Sequence, residues 1–246
     1  MLNIIKAEIY KYIHRPYFYV LTLVVSSIIL LCEALFSSNM TSRVFVISKA
    51  CPAGMNFALI LIILFSLVFS EEYKYNSLKN LITSNVSKEN IYLGKLLVQI
   101  VIILFTGVIL IGVFLSGLLL LNPGDGYSND ILIRFLIKMI ASLPLLLSGL
   151  ALSNLLMIGI KKEGIAIVIY IMILLLSSDI IKLLSRTIWD KLSIINDYFF
   201  NTQILIVNYS IDVTNGEIIQ ATLVGFISFV AFAILGGLFF KRAEVK

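Results

Sequence analysis

Two adjacent carboxylates, Glu71 and Glu72, open the most polar stretch of an otherwise aliphatic chain, SEEYKYNSLKNLITSNVSKENIYLGK, from Ser70 to Lys95. They follow an apolar run, where a helix C-terminus would disfavour negative charge by some tenths of a kcal/mol each. Either that helix continues past them or they face a cation. Other reactive types are scarce. The one histidine, His14, lies near the N-terminus, so a serine–histidine hydrolase would have to use it outside the spans and is rejected. No His/Cys/Asp/Glu group has metal-ligand spacing. No GxxxxGK[ST] phosphate loop is present, which excludes ATP binding of the P-loop kind. Cys32 and Cys51 are a single pair and form no disulfide framework; they read as packed free thiols, with a bond between them geometrically allowed.

The elements that must position these residues belong in lipid. Of 246 residues, 60% are hydrophobic and 13% charged, and the mean hydropathy is +1.03. A soluble domain is about a quarter charged. A hydrocarbon core about 30 Å thick takes about 20 apolar residues per helix. Six such spans can be read, over residues 17–36, 52–70, 96–121, 135–160, 164–184 and 218–240. Pro52 suits a helix start, where a missing N–H costs nothing. Asn122-Pro123-Gly124 ends the third span, and only Lys161, Lys162 and Glu163 separate the fourth from the fifth. The expected fold class is therefore all-α: a polytopic membrane protein with six transmembrane helices in one transmembrane domain, 1–246.

Six spans put both termini on one side. That side carries Lys6, Lys11, Arg15, Lys74, Lys79, Lys88, Lys95, Lys161, Lys162, Lys241, Arg242 and Lys246. The other carries Arg43, Lys49, Arg134, Lys138, Lys182, Arg186 and Lys191, so the count is 12 against 7. The positive-inside rule makes the first side cytoplasmic. The net charge of +5 then reflects basic loops beside anionic lipid and calls for no nucleic acid. Residues 1–15 read as an amphipathic helix in the inner interface, with Leu2, Ile5, Ile9, Tyr12 and Ile13 on one arc, turning into the first span near Pro16. It serves as an anchor or as a contact to a partner. Residues 185–217 form an outer segment of mixed aromatic and polar character. It begins on a charged helical face, Asp179, Lys182, Arg186 and Asp190, with Trp189 as an interface anchor. No carboxylate falls at the midplane of a span, which an ion-coupled transporter would want. Energy for uphill movement would come from another chain.

Within the polar stretch, Leu78, Leu81 and Ile82 form a short apolar stripe at helical spacing. Ser84-Asn85 breaks it. Ser87 then suits an N-cap, with Glu89 in the first turn of a helix entering span three. Residues 71–95 thus hold a short amphipathic helix slung between two spans, where a few residues would suffice as a connection. Its stripe fits a docking surface, or a helix lying flat on the membrane.

The order of these features resembles the permease subunits of type-2 ABC exporters, the ABC-2 type family. It comprises the basic amphipathic helix, six spans, Glu71-Glu72 after span two, the short helix, Gly94-Lys95 at the start of span three, and the tail Gly236-Gly237-Leu238-Phe239-Phe240-Lys241-Arg242-Ala243-Glu244. Asn76-Ser77 stands where Gly-Thr is usual, and Asn85 where proline is common. The resemblance implies a bacterial plasma-membrane permease with both termini cytoplasmic. It would be paired with a second permease, identical or homologous, and with a dimeric cytoplasmic ATPase subunit that binds ATP and Mg. No cofactor would sit in this chain, and the chain would not itself be an enzyme. Glu71, Glu72, Leu78, Leu81 and Ile82 would couple it to that ATPase. Small permeases of this kind resemble exporters of antimicrobial peptides, as in lantibiotic immunity, and of drugs. Polysaccharide, teichoic acid or sodium export is the alternative, and a non-transporting scaffold or sensor is the alternative of another class.

Overall fold

The computed structural model describes the chain except residues 1, 15, 38–41, 68–86, 124–126, 210–212 and 243–246. The described residues are helical, with no strand among them. The helices are α1 (Leu2–Ile13), α2 (Pro16–Ser37), α3 (Arg43–Leu61), α4 (Lys88–Leu118), α5 (Asn129–Ile160), α6 (Glu163–Thr187), α7 (Leu192–Asp197), α8 (Phe200–Tyr209) and α9 (Asn215–Arg242). A further helical turn covers 63–67.

Five of these, α2, α4, α5, α6 and α9, are long and apolar enough to cross a membrane. The expected second span does not reach that length among the described residues. Its apolar part runs over Ala53–Leu67, and residues 68–70 lie outside the described chain. Its start also differs from the one expected at Pro52. The helix begins nine residues earlier, at Arg43, because Ser42 caps it: the Ser42 hydroxyl accepts the Phe45 N–H at 3.3 Å. The remaining boundaries follow local chemistry closely. Pro16 begins α2, where its fixed φ suits a helix start. Ser87 caps α4, its hydroxyl accepting the Asn90 N–H at 3.3 Å. Lys161, in the left-handed region at φ 58°, turns α5 into α6. Thr214 and Glu217 form a reciprocal capping box at the head of α9, each accepting the other's backbone N–H, at 2.9 and 3.3 Å.

The chain divides into two compact units. The first comprises Met1–Cys51 and Leu93–Phe135. In it Arg43 closes the end of α4. Its backbone N–H donates to the Asn122 carbonyl at 3.0 Å, and its guanidinium donates to the carbonyls of Leu121 at 2.8 Å and Leu119 at 3.2 Å. A cation belongs at a helix C-terminus, whose last carbonyls lack partners within the helix.

The second unit comprises Pro52–Tyr92 and Leu136–Lys246. Its spine is α5, with Leu145, Leu150, Ala151, Ser148, Ser153 and Asn154 fully buried. Gly225 of α9 lies directly on the α5 backbone, where an added Cβ would come within 2.6 Å of the Leu145 nitrogen. Ala221, one turn earlier, is fully buried, so this small-xxx-small pair forms a helix–helix contact. Ser66 and Ser153 share a hydrogen bond, and the Tyr170 hydroxyl donates to the Leu59 carbonyl at 2.8 Å. The segment following α6 is packed rather than loose. In α8, Asn201 donates to the Leu174 carbonyl of α6 at 2.6 Å, and Asn208 donates to the Ser142 hydroxyl of α5 at 3.2 Å. Its polar side chains therefore satisfy helix backbones and hydroxyls within the unit, while Trp189, Tyr198 and Tyr209 remain exposed.

Candidate functional site

The first two turns of α4 are where the chain leaves the polar stretch, and Gly94-Lys95 sits there. Within the first unit, α1 lies against this segment. Gly94 makes room for it: a Cβ there would lie 3.0 Å from Cγ2 of Ile4. The next residue, Lys95, is 1% exposed. Its ammonium lies 3.1 Å from Oε1 of Glu8, itself 2% exposed. The same oxygen accepts a hydrogen bond from Lys11 Nζ at 2.7 Å. The second oxygen, Oε2, is buried and has no hydrogen-bond partner. Burial alone would raise the Glu8 carboxyl. The charge of Lys95, together with the hydrogen bond and charge of Lys11, outweighs it and holds the carboxyl below the ordinary range.

The side of α1 that packs on α4 adjoins the apolar arc and shares Tyr12 with it. Leu2, Ile5, Ile9, Tyr12 and Ile13 make the apolar arc, but the buried side carries Ile4, Glu8 and Tyr12, at i, i+4 and i+8, while Ile13 is 48% exposed. Two forces set the rotation. Ile4 fills the space over Gly94, and a lysine buried on α4 requires a carboxylate beside it. The i, i+4, i+8 series Ile4-Glu8-Tyr12 was the available signal, and hydrophobicity alone hides it because its middle member is charged.

The second unit has its own attachment of α4. Tyr92 is 2% exposed and packs on the glycine pair of α9; a Cβ at Gly236 would come within 2.5 Å of the Tyr92 hydroxyl. The Tyr92 and Phe240 rings stand 6.0 Å apart. Near the surface, Lys241 Nζ pairs with Glu89 Oε1 at 2.7 Å, and Lys88 Nζ donates to the Lys241 carbonyl at 3.2 Å. The glycines and Lys241 of the tail therefore have a packing reason: they seat the start of α4.

The sequence-derived coupling residues Glu71, Glu72, Leu78, Leu81 and Ile82 all lie outside the described residues, as does Arg15. Lys11 pairs with Glu8. Two buried acids that sequence reasoning gave no role, Glu8 and Glu33, stand out instead.

The model of the family described as ABC-2 family transporter protein matches residues 4–178. The chain belongs to that family. The match opens on Ile4, which packs over Gly94, and takes in Glu8, Lys95 and the whole polar stretch. No curated protein matches the chain. ABC-2 family permeases are the transmembrane component of ABC transporters, not the catalytic one, and generally work with an ATPase subunit. This permease is accordingly a membrane protein and a component of such a transporter.

Proposed function

We propose that the permease is the pathway-forming half of an ATP-driven exporter in the bacterial plasma membrane, with both termini cytoplasmic. A second permease, identical or homologous, completes the pathway. ATP and Mg are held by a separate dimeric ATPase. That ATPase docks on 71–95, with Leu78, Leu81 and Ile82 seated in a cleft of its surface. Glu71 or Glu72 pairs with a basic residue of the N-terminal helix, Lys11 or Arg15, or with one on the ATPase. The cargo is a hydrophobic or amphipathic compound such as an antimicrobial peptide or a drug.

The observation that supports this reading is the buried Glu8–Lys95 pair where the chain emerges from the docking stretch. A push on the stretch reaches α4 first. A charge pair at 1–2% exposure resists separation by about 3–5 kcal/mol, so α1 and the start of α4 move together. The joint Asp variant Leu78→Asp with Leu81→Asp tests the docking. It should remain in the membrane yet lose the ATPase on affinity purification in mild detergent. Undiminished co-purification would overturn the docking role and leave the stretch as a helix lying on the membrane.

A further inference from the structure

Three helix ends meet at one level of the second unit. A Cβ at Gly159, near the end of α5, would stand 3.9 Å from Cδ1 of Phe239, near the end of α9. Tyr92, in the second turn of α4, packs on Gly236 and Gly237 of α9. Lys88 Nζ donates to the Lys241 carbonyl at 3.2 Å. These contacts bring Lys88, Lys161, Lys162, Lys241 and Arg242 to the same end of the unit, where Glu89 and Glu163 are the acids among the described residues. Glu89 pairs with Lys241. Arg242 stands three residues after Phe239, and Lys162 three residues after Gly159; both are exposed.

The face of α9 that carries Arg242 is otherwise apolar. Leu235, Leu238, Phe239 and Arg242 follow at i, i+3, i+4 and i+7, and the three apolar side chains are 43%, 49% and 52% exposed. With its 28 residues, α9 rises about 42 Å. The hydrocarbon core is about 30 Å thick. A helix centred in that core keeps Leu235 and Leu238 among acyl chains and carries its last turn, with Arg242, to the level of the phospholipid headgroups. A phosphodiester matches such an end. A guanidinium takes two of its oxygens at once, and an ammonium adds a point charge. The apolar face asks for a ligand with acyl chains, which a free phosphate lacks. The surplus of basic residues favours a headgroup of net negative charge over a zwitterionic one, whose own cation it repels.

We infer that this end of the unit retains an anionic phospholipid, its phosphate on Arg242 and Lys162 and an acyl chain along Leu235, Leu238 and Phe239. The test is native mass spectrometry of the purified permease in mild detergent. Phosphatidylglycerol and phosphatidylcholine with the same acyl chains are added in equal amounts. No ATPase, ATP or cargo is present, so the outcome is independent of the transport reading. Wild type should retain phosphatidylglycerol over phosphatidylcholine by about tenfold, the order that two basic side chains at a membrane surface supply. The double variant Arg242→Gln with Lys162→Gln should lose that preference, and Arg242→Lys should keep part of it. Phe239→Ser should lower retention of both lipids and leave their ratio in place. Lys182→Gln, at an exposed cation near the far end of α6, should change nothing. Glycerophosphoglycerol, the headgroup without chains, should not displace the lipid. Equal retention of the two lipids by wild type would overturn the inference, and so would a preference that survives the double variant or vanishes in Lys182→Gln. Displacement by the chain-free headgroup would overturn it in favour of a phosphate site. A double variant that keeps the lipid preference but loses a co-purifying ATPase would overturn it too, assigning the cluster to the ATPase surface.

Discussion

Replacing Lys95 with methionine removes one half of a buried ion pair and keeps its length. Breaking such a pair costs about 3–5 kcal/mol when the remaining charge stays buried. Glu8 is 2% exposed and cannot reach water without moving α1. Lys11 still reaches Oε1 at 2.7 Å, but its side chain is 38% exposed and screened. The cost should therefore fall at the lower end, about 3 kcal/mol, or roughly 150-fold in the equilibrium at about 1.36 kcal/mol per tenfold. For a chain of this size that lowers the unfolding midpoint by about 6–12 °C. Thermal unfolding in mild detergent, followed by fluorescence-detected size exclusion, reads it directly. The uncharged double variant, Glu8→Leu with Lys95→Met, should recover most of the loss, since exchanging a buried pair for apolar residues of similar volume is often neutral. Glu89→Gln, at the exposed pair with Lys241, should leave the midpoint in place, because solvent screens such pairs. Additive losses in the double variant, or a Lys95→Met shift no larger than that of Glu89→Gln, would refute the reasoning: Glu8 and Lys95 would then be neighbours that do not hold α1 to α4.

The same pair predicts a pH dependence. Folding lowers the Glu8 carboxyl from its unfolded pKa of about 4.3, so its contribution is full above that value and is lost as pH falls through the lower folded one; the midpoint of wild type should fall more steeply with acid below about pH 4 than that of Glu8→Gln. Gly225→Ala should cost about 1–3 kcal/mol, because its Cβ would meet the Pro144 carbonyl carbon at 2.7 Å and the Leu145 nitrogen at 2.6 Å, and backbone cannot yield. Gly107→Ala, with nothing within 4 Å, should be neutral or stabilising by up to about 1 kcal/mol in the same melting assay.

The sequence by itself determined what depends on composition and on neighbours along the chain. Lipid as the solvent follows from charge content and long apolar runs. The start of α2 at Pro16, the cap of α4 at Ser87 and the break at Lys161-Lys162 follow from local backbone preferences, which act over a few residues. The family was legible in the order of degenerate signals, from the N-terminal helix through Gly94-Lys95 to the Gly236-Gly237 tail. Tertiary structure decided the rest. The start of α3 depends on Ser42 and on Arg43 meeting the end of α4, nearly eighty residues away. The packing of α1 on α4 depends on Lys95, which holds the charged Glu8 on the buried side. Glu33 stands one turn from the end of α2. Its burial against Gly117 appears only once α2 and α4 are brought together, because desolvation is set by the neighbours a fold supplies and not by position along a helix.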